Sequence, residues 1–564
     1  MRTDFSAVLT PRPLHPAEGT LTVGPWQVDL DAAPASVIHD AGLTAVVKGQ
    51  FYDLDGPGLL RLYRQHGPDC FRHLDGAFSA LLLDKEAGTA LAVTDRAGTH
   101  KLYAAHDQGG MALSTLPDHP DFARRPYTLG GVASVMISGS PMNGLTLYQG
   151  VSSLEAASLH HLRPGGTVRQ AYWTPEPPDW PDTRPEAELR EEFAALLVRA
   201  VRRRAGGLDG PAHLSLSGGH DSRGLLSLLT GAGVDLRTFS YAQGPQAAGS
   251  DIRVADALAG QYGTPHQEVQ AYQGDLLATI RRNAGWGRGV ANFCDEADAW
   301  AALSQQPITD FFAGEQIHDA HARPLHDVSE QLTKRHLRPF DTLGQLTARL
   351  DPQVLRGMQA AWNAEIAEIR GGLARITDPS RQEFLLLARQ VMPYRLLPWR
   401  EQYAGRFAAV HLPYLDAAVM DFVARLPPAA LAGKRLFKET LRALDPDIYR
   451  VPLARSQGYE TDWHAELIRH REAIREELLS GRSRLDAVID PLAIRAVLDQ
   501  LAAPAAGRPK LKGQLRQALG AFRHSDLGQQ VFGQARLRAA PVRPATWLLR
   551  VLTLRALDAG KSGG

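Results

Sequence analysis

The pattern of apolar and polar positions divides the chain into two parts of different character. In the first part, short apolar runs alternate with turns rich in Gly and Asp, as at Leu43–Val47, Ala77–Leu83 and Ala90–Val93. Short apolar runs bounded by turn residues are typical of packed β-strands. We therefore expect a smaller, β-rich domain over residues 1–172.

The second part opens with a predicted amphipathic helix. Over Glu186–Arg204 the apolar residues share one face, the first turn is acidic and the last turn carries arginines, which suits the helix dipole. A strand, a helix, a second strand and a second helix follow, at His213–Leu216, from about Ser222, at Leu236–Tyr241 and at Asp251–Tyr262. This order predicts a doubly wound parallel sheet, and the pattern beyond residue 295 is mainly helical.

A proline-rich segment marks the boundary between the parts. Trp173–Pro185 contains five prolines, which neither a helix nor a central strand can accommodate. We predict domains at 1–172 and 187–540, a linker at 173–186 and a C-terminal tail at 541–564. In the tail, apolar residues from Trp547 to Leu554 fall at helical spacing with arginines among them. A helix that docks on its own domain is favoured, and a helix at a membrane surface is the alternative.

Composition narrows the class of protein. A chain of 564 residues is too long for one hydrophobic core. Its 62 Lys and Arg balance 61 Asp and Glu, which argues against nonspecific binding of nucleic acid or anionic lipid. Cys70 and Cys294 are too few for a disulfide framework or a metal cluster. With neither a signal-like start nor an apolar stretch of membrane-spanning length, we expect a cytoplasmic protein with small-molecule partners, whose oligomeric state stays open.

The segment that carries chemistry is the turn Ser217–Ser222, SGGHDS, between an apolar strand and an apolar helix. Its glycines allow close backbone approach, the helix start offers free N–H groups and the serines add hydroxyls, all of which suit a phosphate. A carboxylate at the rim, Asp221, can hold a magnesium ion that bridges phosphate oxygens. The plainer alternative is a turn in which Ser217 or Asp221 only caps the helix.

Longer matches favour the phosphate interpretation. SGGxDS after a strand resembles the pyrophosphate loop of enzymes that split ATP into AMP and pyrophosphate, and Thr238–Tyr241, Ser250-Asp251 and Gly263–His266 follow in the order found in asparagine synthetases. Leu74–Phe78 and Asp95–Tyr103 resemble two motifs of the glutaminase half of those enzymes. The chain is thus similar to the asparagine synthetase and β-lactam synthetase family. The resemblance implies an α/β fold: an Ntn-type αββα sandwich, then a doubly wound parallel-sheet ATP pyrophosphatase domain with a helical C-terminal part.

The resemblance also implies ATP and Mg²⁺ as cofactors and a set of site residues. Phe312–Asp319 is similar to a family loop, although His318 stands where a second magnesium-binding aspartate is expected; Asp319 could replace it after a shift of one residue. Gly433–Lys438 and Arg455–Tyr459 resemble the segments that close the site, with Arg455 or Lys434 in place of the usual lysine. The implied nucleotide-binding residues are Ser217, Gly218, Gly219, Asp221, Ser222, Ser240 and Gly314; the implied metal ligands are Asp221 and Asp319; the implied catalytic residues are Asp221, Glu315, Arg455 and Lys434.

The pattern departs from the family in two places. Residue 2 is Arg where the resemblance implies the terminal cysteine that hydrolyses glutamine, and Asp53 replaces an asparagine. Ala409 and His411 stand where a substrate-binding segment carries glutamate and arginine. We therefore expect no release of ammonia from glutamine and a remodelled substrate pocket.

These observations predict an ATP-dependent, AMP-forming amide-bond ligase. It would adenylate a small-molecule or peptide carboxylate, and free ammonia or an amine on the substrate would displace AMP. One alternative is a peptide or β-lactam cyclase of the same family, which predicts a wide cleft near His318, Ala409 and His411. The other is a degenerate member that binds a nucleotide or a partner without turnover.

Overall fold

The computed structural model describes residues 3–11, 21–107, 110–244, 249–321, 325, 327–456, 458–502 and 538–559. Seventeen strands are numbered in chain order. They are β1 Phe5–Pro11, β2 Leu21–Val23, β3 Trp26–Ala32, β4 Val37–Asp40, β5 Leu43–Phe51, β6 Gly76–Asp84, β7 Thr89–Thr94, β8 Tyr103–Asp107, β9 Gly110–Ser114, β10 Val151–Ser153, β11 Ser158–Arg163, β12 Gly166–Ala171, β13 Ala212–Ser215, β14 Leu236–Ala242, β15 His266–Gln270, β16 Asp310–Phe312 and β17 Ala409–His411.

The helices are numbered in the same way. They are α1 Gly56–His66, α2 Pro120–Ala123, α3 Leu129–Ser138, α4 Glu186–Ala205, α5 Asp221–Gly231, α6 Asp251–Tyr262, α7 Leu276–Gly287, α8 Ala297–Leu303, α9 Val328–Lys334, α10 Pro352–Leu373, α11 Pro379–Leu386, α12 Leu397–Gln402, α13 Ala417–Arg425, α14 Pro428–Leu431, α15 Arg435–Leu444, α16 Trp463–Arg469, α17 Arg471–Ala473, α18 Pro491–Ala502 and α19 Pro544–Ala559. A π-helical segment, Leu387–Leu396, joins α11 to α12.

The first twelve strands form two antiparallel six-stranded sheets. Their orders are β10-β8-β9-β1-β3-β2 and β12-β11-β7-β6-β5-β4. Alternate side chains from both sheets, among them Leu9, Trp26 and Leu81, fill the space between them. Helix α1 covers the outer face of the second sheet, and α3 packs near the outer face of the first. The αββα sandwich inferred from the family resemblance is confirmed.

The remaining strands form a parallel sheet in the order β15-β14-β13-β16-β17. The first four predicted elements of this part appear within one or two residues of the expected limits, and α6 has the predicted limits. Strands β16 and β17 lie in the region where only helical periodicity was evident. They are three-residue strands, too short to impose an alternating pattern on the sequence.

The proline-rich segment packs against the helices of the second part. Trp173 Nε1 donates to Asp421 Oδ1 at 2.7 Å, and Trp180 Nε1 donates to the Leu426 carbonyl at 3.2 Å. The predicted domain limits remain predictions. Within the predicted last domain and tail, residues 503–537 and 560–564 lie outside the described residues.

The C-terminal helix α19 docks on the rest of the chain. It contacts α7, α18 and α3, and Trp547, Leu548, Val551, Leu552 and Leu554 are buried. The docking interpretation of this segment is therefore confirmed over the membrane-surface alternative. In the part of the chain that the structure describes, no helix combines the length and apolar character needed to cross a bilayer.

Candidate nucleotide site

The predicted phosphate loop lies where the parallel sheet opens. Residues 217–220 leave the carboxyl end of β13, the middle strand, and enter α5 at Asp221. In open α/β sheets the crevice at this edge is the usual binding place. A cavity of about 250 Å³ occupies it. Its walls are Ser215, Leu216, Ser217, Asp221, Ser222, Ser240, Tyr241, Asp251, Ile252, Ala313, Gly314, Glu315, Arg400 and Tyr459.

The loop is held in place by its own hydroxyl groups. The Ser217 and Ser222 hydroxyls are 2.9 Å apart, the Ser217 N–H donates to Ser222 Oγ at 3.1 Å, and the Gly219 N–H donates to Ser217 Oγ at 3.3 Å. The Gly218 N–H donates to Asp251 Oδ1 at 3.0 Å. Because this N–H already donates to a carboxylate, a phosphate that accepted its hydrogen bond would have to displace Asp251.

Two glycines of the site have no room for a side chain. A Cβ on Gly314 would lie 3.0 Å from Asp221 Cβ, so the loop after β16 approaches the start of α5 closely. A Cβ on Gly218 would lie 2.4 Å from Ala454 Cβ. Gly218 therefore lets the segment around Ala454 close against the loop. Its role in nucleotide binding stays a prediction.

Asp221 is a carboxylate at this cavity whose pKa is raised above its usual value. Lys434 Nζ donates to its Oδ2 at 2.5 Å, while Oδ1 is buried without a hydrogen-bond partner among the described residues. Burial raises the pKa of Asp221, Lys434 lowers it, and the charges of Asp319 and Glu315 raise it further. The structure therefore brings the four predicted charged residues Asp221, Glu315, Asp319 and Lys434 into one electrostatic group.

Glu315 presents a second unsatisfied oxygen. Its Oε1 accepts from Arg400 Nε at 3.0 Å and Nη2 at 2.5 Å, and its Oε2 is buried with no hydrogen-bond partner in the described chain. Orphaned carboxylate oxygens fit a hard divalent cation. Among the described residues no group of three or more His, Cys, Asp or Glu side chains could hold a metal by itself. A magnesium ion here would therefore depend on phosphate oxygens and water for its remaining ligands.

Neither ring nitrogen of His318 has a hydrogen-bond partner in the described part of the chain. The ring is buried among aromatic rings, with centroids 4.1 Å from Phe437, 5.4 Å from Tyr414 and 5.7 Å from Phe193. Burial lowers the pKa of His318 well below its usual value, so the ring is neutral. Its place in the loop is explained by packing, and Asp319 is the residue whose charge reaches Asp221.

Of the other residues predicted for the site, Ser240 lines the cavity and Arg455 does not. Ser240 lines it, and its hydroxyl donates to the Leu216 carbonyl at 2.7 Å. Arg455 is exposed and is not among the lining residues; its backbone N–H donates to the Gly249 carbonyl at 2.8 Å. Its catalytic role stays a prediction, and Lys434 is the cation that the structure places on Asp221.

Of the three residues expected to surround a wide cleft, Ala409 lines a cavity of about 410 Å³, and His411 and His318 are not among its lining residues. His411 Nε2 hydrogen bonds to Asp310 Oδ1 at 2.8 Å, and His411 Nδ1 hydrogen bonds to Gln50 Nε2 at 3.2 Å. The His411 ring stacks on Phe312. With Ala409 it belongs to β17, beside the antiparallel half, whereas His318 is buried in the aromatic cluster. The three residues therefore do not line one common cleft, and the cyclase alternative stays a prediction.

Sequence reasoning missed Arg400, whereas Tyr459 ends a segment, Arg455–Tyr459, that the family resemblance had assigned to the site. Arg400 lies over the Trp399 ring at 4.6 Å and the Phe311 ring at 5.2 Å, and it positions Glu315. Tyr459 lines the cavity and hydrogen bonds to Glu296, whose pKa burial and Asp295 raise to about 7. No local pattern marks Arg400, because its contact with Glu315 forms only when α12 meets the loop after β16, 85 residues away.

In the antiparallel half, Lys48 and Asp53 are held in salt bridges and Cys70 is buried. Lys48 pairs with Asp4 at 2.8 Å and with Glu401 at 2.6 Å, and Asp53 pairs with Arg203 at 3.2 Å. Burial raises the pKa of the Cys70 thiol to about 12, so it is no nucleophile at neutral pH. The predicted departure at residue 2 lies outside the described residues.

Comparison with known proteins places this site in a family. A family model described as asparagine synthase matches residues 192–522, which include the loop and most of the cavity wall. The chain belongs to the asparagine synthase family. A model of a glutamine amidotransferase domain matches residues 44–118, within the antiparallel sandwich. Asparagine synthase family membership supports an ATP-dependent ligase class and the use of ATP.

Two curated proteins resemble smaller parts of the chain. The chain is 28% identical over 226 residues to "Amidase chry2" of Gibberella zeae and 26% identical over 225 residues to "Amidase chyE" of Penicillium rubens. Each match covers 36% of this chain and 33% of the relative, so the chain spans about a third of the length of these curated relatives. The structure of a glutamine phosphoribosylpyrophosphate amidotransferase from B. subtilis aligns over 60% of this chain and 83% of that one, at 8% identity and a TM-score of 0.19, too low to support an argument.

Proposed function

We propose that this member of the asparagine synthase family is an AMP-forming amide-bond ligase without glutaminase activity of its own. The carboxylate of the substrate attacks the α-phosphorus of ATP and releases pyrophosphate. An amine then attacks the acyl carbon of the adenylate, releases AMP and loses a proton. The reaction predicts AMP as the product, and ammonia or an amine on the substrate as the nitrogen source.

The observation that supports the proposal is the pair of orphaned carboxylate oxygens beside the serine-rich loop. Asp221 Oδ1 and Glu315 Oε2 are both buried without partners among the described residues, at the rim of one cavity. A bound magnesium ion would neutralise the pyrophosphate that leaves. Ser217 and Ser222 would donate hydroxyls to phosphate oxygens, and Lys434 would supply a fixed positive charge where negative charge develops.

The test is magnesium-dependent exchange of labelled pyrophosphate into ATP, together with AMP release, across small carboxylates, peptides and β-amino acids. Ammonia and glutamine are added in separate reactions. We expect exchange with one class of carboxylate and its loss in Asp221→Ala. The matched control is Asp55→Ala. It removes an exposed carboxylate that caps α1 and is not among the residues that line the nucleotide cavity. Formation of ADP instead of AMP would contradict the proposal.

The nitrogen source separates this proposal from the ordinary glutamine-dependent reaction. Lys48 and Asp4 of the antiparallel half form a salt-bridged cluster with Glu401 of α12, and burial raises the pKa of the Cys70 thiol to about 12. We expect glutamine to stimulate AMP release no more than an equal concentration of asparagine. Stoichiometric glutamate formation from glutamine would show that a glutaminase is present.

One observation favours a noncatalytic nucleotide-binding protein as the second candidate. The Gly218 N–H is occupied by Asp251, and Lys434 is occupied by Asp221. Both groups would have to rearrange to meet a triphosphate. Binding of ATP by calorimetry without exchange or AMP release under any of the conditions above would identify this candidate.

A further inference from the structure

A second cavity lies between the two halves of the molecule. Its volume is about 410 Å³, within the usual range for small-molecule sites. The antiparallel half contributes part of its wall and the segment from α12 to β17 contributes the rest. The lining residues that matter here are Lys48, Leu116, Arg400, Glu401, Phe407 and Leu412.

Most charges that face this cavity already neutralise one another. Lys48 is held by Asp4 and Glu401 at 2.8 and 2.6 Å, and His100 Nδ1 lies 3.1 Å from Glu401 Oε1. The Arg406 guanidinium lies over the Trp286 ring, 5.0 Å from its centroid. A ligand that carried several charges would have to break one of these contacts.

Arg400 is different, because it belongs to the walls of both cavities. Two of its nitrogens bind Glu315, and the rings of Trp399 and Phe311 fix the guanidinium plane. The third nitrogen, Nη1, is buried and has no hydrogen-bond partner in the described part of the chain. A buried guanidinium N–H without an acceptor is costly, and a carboxylate is the ligand group that satisfies it best.

We infer that the cavity between the halves binds the acyl substrate, a monocarboxylate with an apolar body, and that Arg400 Nη1 holds its carboxylate at the junction with the nucleotide cavity. The inference rests on the proposed function and names its substrate class. The apolar body would lie against Leu116, Phe407 and Leu412. A dicarboxylate fits less well, since its second carboxylate would meet the paired Asp4 and Glu401.

The experiment combines cavity filling with a panel of acids. Gly405 lines the cavity, and a Cβ added there would meet its nearest atoms at 3.6 to 4.0 Å, which is ordinary contact. Gly405→Leu should therefore fill the cavity without backbone strain. Ala409→Leu, at an exposed lining position, is a second variant. Gly371→Leu is the control, because an added Cβ there has no neighbour within 4 Å.

Pyrophosphate exchange is measured in the full chain with phenylacetate and hexanoate against aspartate and glutarate. We expect exchange with a monocarboxylate, a KM for that acid at least tenfold higher in Gly405→Leu or Ala409→Leu, and an unchanged KM for ATP. Gly371→Leu should behave as the parent chain. Exchange that prefers aspartate and is unaffected by both filling variants would overturn the inference.

A binding measurement keeps this inference separate from the proposed function. Saturation-transfer NMR detects phenylacetate and hexanoate bound to the chain in the absence of ATP. Binding that Gly405→Leu abolishes would support the cavity assignment even if no exchange occurs, in which case only the proposed function fails. If neither acid binds, or if binding persists in both filling variants, the cavity assignment is wrong.

Discussion

At the scale of single residues, the site is governed by one ion pair. Among the described residues, only Lys434 donates a hydrogen bond to Asp221 Oδ2. Its positive charge lowers the pKa of this carboxyl, which burial raises. Lys434 also has a left-handed backbone, with φ of 59°, directly before α15. That conformation directs the chain so that the side chain reaches from the start of α15 to the start of α5.

We expect Lys434→Gln to lower the rate of pyrophosphate exchange about a hundredfold, because a preorganised charge at the transferring phosphoryl group is lost. Glutamine removes the charge, is one bond shorter than lysine and meets the same backbone restriction. Lys438→Gln, one turn further along α15, is the matched control and should change the rate less than threefold. Equal losses in the two variants would point to general weakening of α15.

Glu296 makes stability depend on pH. Burial and Asp295 raise its pKa from 4.5 to about 7, so between these values the folded state binds more protons than the unfolded state. Stability contributed by this group is present below about pH 4.5 and falls as the pH rises through 7. We expect Glu296→Gln to raise the Tm relative to the parent chain at pH 8 and to change it little at pH 5. Thermal unfolding at both values, with the exposed Glu191→Gln as control, checks this.

At the scale of elements, local sequence patterns predicted the helices and turns that contiguous residues determine. The α6 limits, Asp251–Tyr262, follow from an apolar face and a glycine that ends the helix, and the loop after β13 was evident from contiguous residues. Strands β16 and β17 were missed because they are short and are defined only by their pairing, β16 with β13 and β17 with β16. Arg400 escaped prediction for a similar reason, since its contacts with Glu315 join positions 85 residues apart.

Helix α19 provides a test of how strongly a distant element supports the fold. Trp547 is fully buried in α19, a helix that contacts α7 and α18. We expect Trp547→Ala to destabilise the chain by about 3–5 kcal/mol, the usual cost of removing a buried aromatic side chain. The readout is the Tm, with Leu492→Ala as control, because Leu492 is 63% exposed. An unchanged Tm would mean that α19 does not unfold together with the described core.

At the scale of the whole molecule, a buried ion network joins the two halves. Asp75 of the antiparallel half and Asp416 of the second half share Arg204 of α4, at 3.2 and 2.8 Å, and Arg203 binds both carboxylates from the rim. Arg204 also lies 4.0 Å from the Tyr52 ring centroid. The network fixes how the halves meet, and the cavity between them is shaped by that arrangement.

We expect Arg204→Met to destabilise the chain by about 3–5 kcal/mol, since it leaves two carboxylates buried beside a single arginine. Methionine keeps an apolar side chain against Tyr52 while it removes the charge and the hydrogen bonds to both carboxylates. Arg202→Met, at an exposed position of α4, should change the Tm little. If Arg204→Met has the same Tm as the parent chain, solvent must reach Asp75 and Asp416. If the Tm falls and the KM for the acyl substrate rises while the KM for ATP does not, the network positions the cavity between the halves.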